Sequence, residues 1–237
     1  MRRAELGRPR LHLRRTDSTN ERARALAHAG AHHGTLVTAD EQTAGRGRQG
    51  RRWVAPPRSS LLMSLLLRPS PPAERLPGLL PLLAAVAVCD VVGEDARVKW
   101  PNDVVYERDG ALVKLAGILI EGRPQDGWMV LGVGLNVALE LAQLPPELAC
   151  TAATLGRGPD AIEPLLAELL DALERRLAGP PQQTLSDWRS RDALLGRQLA
   201  WNGGSGSAEG VDDEGRLLVR QASGELAALD SGEVHLV

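Results

Sequence analysis

The amino-acid sequence predicts an α+β protein, in which a mixed, mostly antiparallel sheet carries helices on one side and a small β-barrel follows at the C-terminus. Apolar segments of strand length recur between residues 11 and 139, and several longer apolar or amphipathic segments have helical length. From Arg197 onward only short strand-like pieces remain, separated by turns rich in Gly, Asn and Asp. We therefore predict two domains, a larger one at residues 1–190 and a barrel domain at residues 191–237.

The first predicted elements are a strand at residues 11–13 and a helix that runs to about Gly30. The helix has a polar start, in which Ser18 and Glu21 have the spacing of a capping box. Capping alone would explain these residues. A helix N-terminus with hydroxyl and amide side chains can also present donors to a polar ligand, so both interpretations stay open.

The rest of the larger domain is predicted from apolar runs and their breaks. Further strands are expected at residues 36–39, 61–67, 97–100, 104–106, 112–121 and 128–139, and further helices at residues 79–92, 161–177 and 185–195. Gly179-Pro180-Pro181 ends one helix, and Gly196 caps the last. Gly132 and Gly134 in the last strand are expected to allow close approach of a flat ring.

Five strands are predicted in the C-terminal part, at residues 198–201, 206–211, 216–220, 225–229 and 233–236. A barrel of about 40 residues buries little apolar surface of its own. We therefore expect it to pack on the larger domain.

The overall composition excludes several classes of protein. The formal net charge is −2 over 237 residues, which argues against a general binder of nucleic acid or membrane surfaces. No run of about 18 apolar residues is present, so we expect no membrane partner. The two cysteines, Cys89 and Cys150, lie far apart without a metal-binding spacing, which favours reduced thiols and a cytoplasmic location.

Residues 45–52 form a segment between two predicted strands that consists of Gly and Arg, apart from Gln49. Its glycines let backbone N–H groups approach a ligand, and its guanidinium groups match phosphate and carboxylate geometry, so the segment predicts an anion site. The glycine spacing fits a P-loop, but Arg51 and Arg52 replace the Lys and Ser/Thr that a P-loop needs. A solvated surface loop is the alternative.

Lysine is scarce in this chain, because only Lys99 and Lys114 are lysines among 28 basic residues. Codon bias could explain the scarcity. Lys114 nevertheless stands in an apolar stretch, where an ammonium group needs an anion unless it marks an exposed strand end. Pro101 bends the chain, so that Asn102 and Asp103 can project as oxygen ligands for magnesium on a nucleotide phosphate, with a simple Asn-Asp turn as the alternative.

Five motifs together resemble the biotin protein ligase family. The segment from Gly45 to Trp53 matches the pattern Gly-Arg-Gly-Arg-x-Gly-Arg-x-Trp of that family's biotin-binding loop. The other motifs are Asp17-Ser18-Thr19-Asn20, Lys99-Trp100-Pro101-Asn102-Asp103, the segment from Lys114 to Glu121, and Gly132-Val133-Gly134-Leu135-Asn136. The resemblance is strong over residues 11–140 and implies a class II aminoacyl-tRNA synthetase-like core up to about residue 190.

The resemblance implies a ligase reaction in two steps. Biotin's carboxylate attacks the α-phosphate of ATP to give biotinyl-5′-AMP and pyrophosphate, and a lysine of a biotin carboxyl carrier protein then attacks the mixed anhydride. Arg46, Arg48 and Lys114 would neutralise the anions that meet in the first step, with magnesium near Asn102 and Asp103. Lys114 and Arg48 are the predicted catalytic residues.

The remaining predicted contacts divide by ligand. The biotin-binding residues are Ser18, Thr19, Asn20, Gln42, Gly45, Arg46, Gly47, Arg48, Lys114 and Gly117. The ATP-binding residues are Arg46, Arg48, Trp53, Lys99, Asn102, Lys114 and Asn136, and the metal ligands are Asn102 and Asp103. The chain departs from the family at Gln49 and Val113, where relatives often carry basic residues.

Two other functions stay open. A lipoate or octanoate ligase or transferase would share the core, although the Gly-Arg loop and the Lys-Trp-Pro-Asn-Asp motif belong to the biotin pattern. A non-catalytic regulator or nucleic-acid binder would use the Arg loop, but the net charge and the lack of interleaved aromatic residues disfavour it. Only 16 residues precede Asp17, so we expect no helix-turn-helix domain and no DNA partner. The sequence leaves the oligomeric state open, including a homodimer.

Overall fold

The structure is a computed structural model that describes residues 6–68, 76–230, 232 and 234–237. The larger part of the fold is built on seven strands, which are Arg10–Leu13 (β1), Leu36–Ala39 (β2), Ser60–Leu67 (β3), Arg97–Lys99 (β4), Asp103–Arg108 (β5), Ala111–Arg123 (β6) and Trp128–Asn136 (β7). They form one sheet in the order β1-β2-β3-β7-β6-β5-β4. β1 and β2 run parallel and the other neighbours are antiparallel, so the predicted mixed, mostly antiparallel sheet is confirmed.

The helices are Thr19–His28 (α1), Leu76–Val92 (α2), Pro146–Ala149 (α3), Ile162–Ala178 (α4) and Pro181–Ser190 (α5). Successive strand residues point to opposite faces of the sheet, so each strand contributes to two layers. Leu65 of β3 belongs to the main core with α2 and α4, whereas Leu66 packs with Ala23 and Ala27 of α1. The long helices therefore lie on one side, as predicted, and the short α1 covers part of the other side.

Two predicted elements have bounds that are wrong for identifiable reasons. The last helix of the larger domain was expected at residues 185–195, but α5 begins at Pro181 and ends at Ser190, because proline fits the first turn of a helix. After Ser190 the chain joins the edge strand β4, where Val98 donates its N–H to Arg191 and accepts one from Ala193. The strand expected at residues 128–139 ends at Asn136, since Val137 and Ala138 instead donate their N–H groups to Ser59.

The capping box at the start of α1 does not form. Ser18 is the N-cap residue, but its side chain makes no capping hydrogen bond. Asp17 accepts the N–H of Ser18 and the hydroxyl of Thr16 instead, and these bonds hold the pKa of Asp17 below its usual value. The carboxylate of Glu21 is paired with arginine side chains.

The C-terminal part contains five strands, which are Gln198–Trp201 (β8), Gly204–Val211 (β9), Leu217–Gln221 (β10), Leu226–Leu229 (β11) and His235–Leu236 (β12). They form a second sheet in the order β11-β10-β9-β8-β12. Glu233, the expected start of the last strand, lies outside the described residues. The predicted strand-rich C-terminal part is confirmed, and closure of this sheet into a barrel stays a prediction.

The C-terminal sheet packs against the larger part of the chain, as expected. Leu217 and Val219 belong to the same apolar core as α2 and the seven-stranded sheet. The indole N–H of Trp100 donates to the carbonyl of Gly215 at 3.0 Å, and Arg197 pairs with Glu107 at 2.8 Å. The domain boundary between residues 190 and 191 stays a proposal. Within the described ranges, no helix is both long and apolar enough to cross a bilayer.

Candidate active site

A cavity of about 300 Å³ lies on the face of the sheet that carries α1, and residues of all five motifs line it. Every predicted site residue lines this cavity except Gly45 and Lys99. Lys99 lies in β4 at the edge of the sheet, two strands away from β6. The sequence motifs, which are spread over more than half of the chain, therefore meet at one place.

One end of the cavity is polar and is built around the start of α1. Thr19 donates its backbone N–H and its hydroxyl to Oε1 of Gln42, at 2.7 and 3.0 Å. The Ser64 hydroxyl donates to Oδ1 of Asn20 at 2.5 Å, and its oxygen lies 2.8 Å from the hydroxyl oxygen of Thr19. Gly132 lies directly beneath, because a Cβ atom there would come within 2.2 Å of Asn20. These buried polar groups are held in one arrangement by their neighbours.

The Gly/Arg segment folds back on itself as a short hairpin above the cavity. Gly47 donates its N–H to Arg51 at 2.7 Å, and Trp53 donates its N–H to Gly45 at 2.9 Å. A single 3₁₀ turn, Arg48–Gly50, forms the tip. Gly45 does not line the cavity, but a Cβ there would lie 2.5 Å from the carbonyl oxygen of Trp53. The glycine therefore permits the close return of the chain.

The flat ring expected over Gly132 and Gly134 is found only over Gly134, where the chain itself supplies it, since Gly132 faces the amide of Asn20. A Cβ at Gly134 would lie 2.6 Å from the indole of Trp53, and one at Gly117 would lie 3.1 Å from the same ring. The ammonium of Lys114 stands 5.8 Å from the ring centroid. Trp53 thus seats the end of the Gly/Arg segment on the floor of the cavity, beside Lys114.

A β-bulge in β6 explains how Lys114 reaches the cavity from an apolar strand. Val105 pairs with Lys114 and the adjacent Val104 pairs with Ala116, so that Leu115 has no partner across the ladder. Such a bulge shifts the alternation of side chains by one position. Lys114 and Gly117 consequently lie on the cavity side, three residues apart, while Val113 and Leu115 stay in the core.

The cationic side chains of the cavity are paired with neighbouring oxygen atoms. Nζ of Lys114 lies 2.8 Å from Oδ1 of Asp103. Arg48 donates to Oδ1 of Asn102 at 3.0 Å, and the amide nitrogen of Asn102 donates to the carbonyl of Ile118 at 2.8 Å. The predicted metal ligands therefore hold the two predicted catalytic side chains in this state.

Asn102 and Asp103 also provide oxygen donors of the kind that magnesium binds. In the described part of the chain, Asp103 is the only carboxylate that lines the cavity, and no group of three His, Cys, Asp or Glu residues could hold a metal. Magnesium commonly binds through one or two carboxylates, water and substrate phosphates. The residues fit an ion that arrives with a nucleotide, and they do not form a complete protein cage.

Sequence reasoning missed two parts of the site. One is an apolar wall formed by Leu139, Leu144 and Leu148, around the helix α3 that follows Pro145. The other is Glu121, which ends the Lys114 motif and pairs with Arg46 at 3.0 Å. The position of Glu121 in the motif was visible in the sequence, but its partner lies 75 residues away.

Comparisons with known proteins agree with the motifs. The Biotin/lipoate A/B protein ligase family model matches residues 12–136, and the Biotin protein ligase C terminal domain model matches residues 205–237. The biotin--[acetyl-CoA-carboxylase] ligase of Mycobacterium tuberculosis is 36% identical over 241 residues, covering 93% of this chain and 86% of that protein. The ligase of the same name from Paracoccus denitrificans is 34% identical, covering 90% of this chain and 94% of that protein.

The fold agrees as well. The solved structure of biotin protein ligase from Aquifex aeolicus in complex with biotin and ATP has a TM-score of 0.77 with this chain, at 28% identity, and covers 97% of this chain and 99% of that chain. The chain therefore belongs to the biotin/lipoate A/B protein ligase family, in its branch of biotin protein ligase enzymes.

Proposed function

We propose that the chain activates biotin with ATP to form biotinyl-5′-AMP, and then transfers the biotin to one lysine of a biotin carboxyl carrier protein. The observation that carries this proposal is the order of groups along β7. Gly132 lies under Asn20, Gly134 lies under Trp53, and Asn136 donates to the carbonyl oxygens of Lys114 and Ala153. The cavity therefore runs from a polar end at α1 to a cationic end at Lys114.

The polar end suits the ureido ring of biotin, which carries both N–H donors and a carbonyl acceptor. Ser18, Thr19, Asn20 and Gln42 offer hydroxyl and amide groups there, and Ser64 together with neighbouring side chains already fixes the orientation of Thr19 and Asn20. Groups held in this way lose little conformational freedom when they bind a ligand. The valeryl chain of biotin would then extend along β7 and bring its carboxylate to Lys114.

At the cationic end the main difficulty is to bring two anions together. The carboxylate oxygen attacks the α-phosphorus of ATP, the bond from that phosphorus to the bridging oxygen breaks, and pyrophosphate leaves. Lys114 and Arg48 would exchange Asp103 and Asn102 for the carboxylate and the phosphate. Fixed positive charge near the position where negative charge accumulates lowers the barrier without a covalent intermediate.

The remaining surfaces suit the nucleotide. Leu139, Leu144 and Leu148 form an apolar wall beyond Lys114 that could cover an adenine base. Magnesium bound at Asn102 and Asp103 would neutralise phosphate charge, and release of these residues from Arg48 and Lys114 would make their oxygen atoms available. In the second step the ε-amine of the acceptor lysine attacks the carbonyl carbon of the anhydride, and AMP leaves.

Modification of an acceptor domain tests the complete proposal. The chain is incubated with MgATP, a biotin carboxyl carrier domain and either biotin or lipoate, and the intact mass of the carrier is measured. We expect the mass to increase by one biotinyl group with biotin alone. An increase with lipoate alone would establish the lipoate alternative, and an unchanged carrier with both acids would exclude transfer to this acceptor.

A further inference from the structure

Glu121 sits between the Gly/Arg segment and the polar end of the cavity without lining the cavity itself. Its Oε1 lies 3.0 Å from Arg46 and 3.6 Å from Arg24, and its Oε2 accepts a hydrogen bond from the amide nitrogen of Asn20 at 2.9 Å. The Glu121 side chain is 15% exposed, whereas that of Arg46 is 43% exposed. One carboxylate therefore joins a buried cavity residue to a surface segment.

The bond to Glu121 fixes which way the amide of Asn20 faces. Oδ1 of Asn20 accepts from Ser64, and Nδ2 donates to Glu121, which as a carboxylate can only accept. An amide nitrogen carries two N–H groups, so Asn20 can keep the bond to Glu121 and donate the second to an acceptor in the cavity. A flipped amide would turn its oxygen atom toward the carboxylate and lose the hydrogen bond to Glu121.

The same carboxylate holds the Gly/Arg segment near α1. Arg46 pairs with Glu121 and also with Glu21, which lies in the first turn of α1. The segment has no apolar anchor between Arg46 and Arg52. Its position near α1 consequently depends on such charged contacts and on its own backbone bonds.

We propose that Glu121 is a positioning residue that couples the position of the Gly/Arg segment to the orientation of the Asn20 amide. This inference rests on the proposed function, because it assigns the polar end of the cavity to biotin. Glu121 contacts Asn20, Arg24 and Arg46, so we expect its loss to weaken the binding of biotin.

Two variants separate the contact of Glu121 with Asn20 from its contact with Arg46. Glu121→Ala removes both contacts, whereas Glu121→Gln keeps an acceptor for Asn20 and weakens the pairing with Arg46. We expect Glu121→Ala to raise the Kd for biotin about tenfold or more, since hydrogen bonds to charged groups are individually among the stronger ones. Glu121→Gln should raise the Kd for biotin less, because its amide oxygen can still accept the hydrogen bond from Asn20.

Coupling is measured by a double-mutant cycle with Asn20→Ala, using titration of biotin without ATP. If Glu121 acts through Asn20, Glu121→Ala adds little further loss of biotin affinity in the Asn20→Ala background. Losses that simply multiply would overturn the proposal. Thermal melting checks folding, and Glu121→Gln preserves the shape of the side chain if Glu121→Ala does not fold.

A ligand-free measurement distinguishes failure of this inference from failure of the proposed function. Trypsin cleaves after the arginines of the Gly/Arg segment, and we expect faster cleavage there in Glu121→Gln and Glu121→Ala than in the unmodified chain. The control Glu209→Gln breaks a carboxylate–arginine pair with Arg220 in the C-terminal sheet and should leave cleavage unchanged. Equal cleavage rates in all four proteins would overturn the inference whether or not biotin binds.

Discussion

The space around the ammonium group of Lys114 is too narrow for the guanidinium group of an arginine. A Cβ atom at Gly117 would lie 3.2 Å from Nζ of Lys114, and Trp53 closes the same space from above. A guanidinium group is planar and wider than an ammonium group. An arginine at this position would displace Trp53 or hold the reacting oxygen atoms apart.

Lys114→Arg should therefore slow formation of biotinyl-AMP by on the order of 10²-fold or more, although the charge is kept, because a misplacement of about 1 Å has that effect. Lys99→Arg is the matched control, because Lys99 does not line the cavity. Single-turnover adenylate formation at saturating biotin and MgATP measures both variants, with melting curves as the check of folding. A folded Lys114→Arg protein with a near-normal rate would show that the side chain supplies only charge.

The role of a single residue could be predicted from the sequence where the residue and the feature that explains it lie in the same motif. The glycines under Asn20 and Trp53 belong to a motif, and their need for close approach could be inferred. The capping interpretation of Glu21, one of two that stayed open, is wrong, because the carboxylate pairs with Arg24 and with Arg46, which lies 25 residues further along the chain. Long-range ion pairs of this kind leave no local pattern in a sequence.

Among the elements, the Gly/Arg segment, residues 45–52, is the one that we expect to need a bound ligand to become ordered. Ordering costs roughly 1–2 kcal/mol per residue, and this segment has no apolar side chain to offset the cost. Its pairs with Glu21 and Glu121 are made by an Arg46 side chain that is 43% exposed, so they are of modest strength. A bound adenylate would add its phosphate and carboxyl oxygens as partners.

We expect residues from about 44 to 52 to become resistant to protease when biotin and MgATP are added. Cleavage is followed by gel and mass spectrometry, with MgATP alone and biotin alone as controls. The segment should be cut readily in the free protein and slowly in the presence of both ligands. Cleavage at one rate under all conditions would mean that the segment does not order over the adenylate.

For the other elements, the sequence predicted the bounds of strands and helices except where tertiary contacts determine them. The strands of the larger sheet were predicted from apolar runs, and each is found within two residues of its expected bounds apart from the end of β7. The bulge at Leu115 was not predicted, because a continuous apolar run hides a shift in alternation. The end of α5 was missed because pairing with β4, and not a local stop signal, draws residues 191–193 away from the helix.

For the whole molecule, the sequence predicted the fold class but not the order of strands in the sheet. The two outer strands, β1 and β4, lie at opposite edges of the seven-stranded sheet. The contact between Trp100 and Gly215 was likewise hidden, since it joins residues 115 positions apart. Such contacts link the C-terminal sheet to the strand that leads to Asn102.

Asp192 lies where α5 passes to the C-terminal sheet and gives the molecule a pH-dependent stability. Burial raises its pKa from 3.8 to about 6, although the N–H groups of Leu194 and Leu195 oppose the shift, and Oδ2 has no hydrogen-bond partner among the described residues. A carboxyl group whose pKa is higher in the folded state favours folding below its unfolded pKa. This contribution is lost as pH rises from about 4 to about 6.

Asp192→Asn should therefore stabilise the protein at pH 8 by about 1–2 kcal/mol and have little effect at pH 4. Urea unfolding of both proteins across this pH range provides the comparison. The difference in unfolding free energy should grow between pH 4 and pH 7 and then level off. A difference that is constant with pH would mean that Asp192 does not titrate on folding.

Exchange of labelled pyrophosphate into ATP tests most directly whether the cavity joins biotin's carboxylate to the α-phosphate of ATP, as we propose. The exchange requires reversible formation of an adenylate and needs no acceptor protein. We predict exchange that depends on both biotin and magnesium, that is absent with lipoate, and that is lost in Lys114→Ala. Exchange with lipoate but not biotin, or no exchange with either acid by the folded protein, would contradict the account.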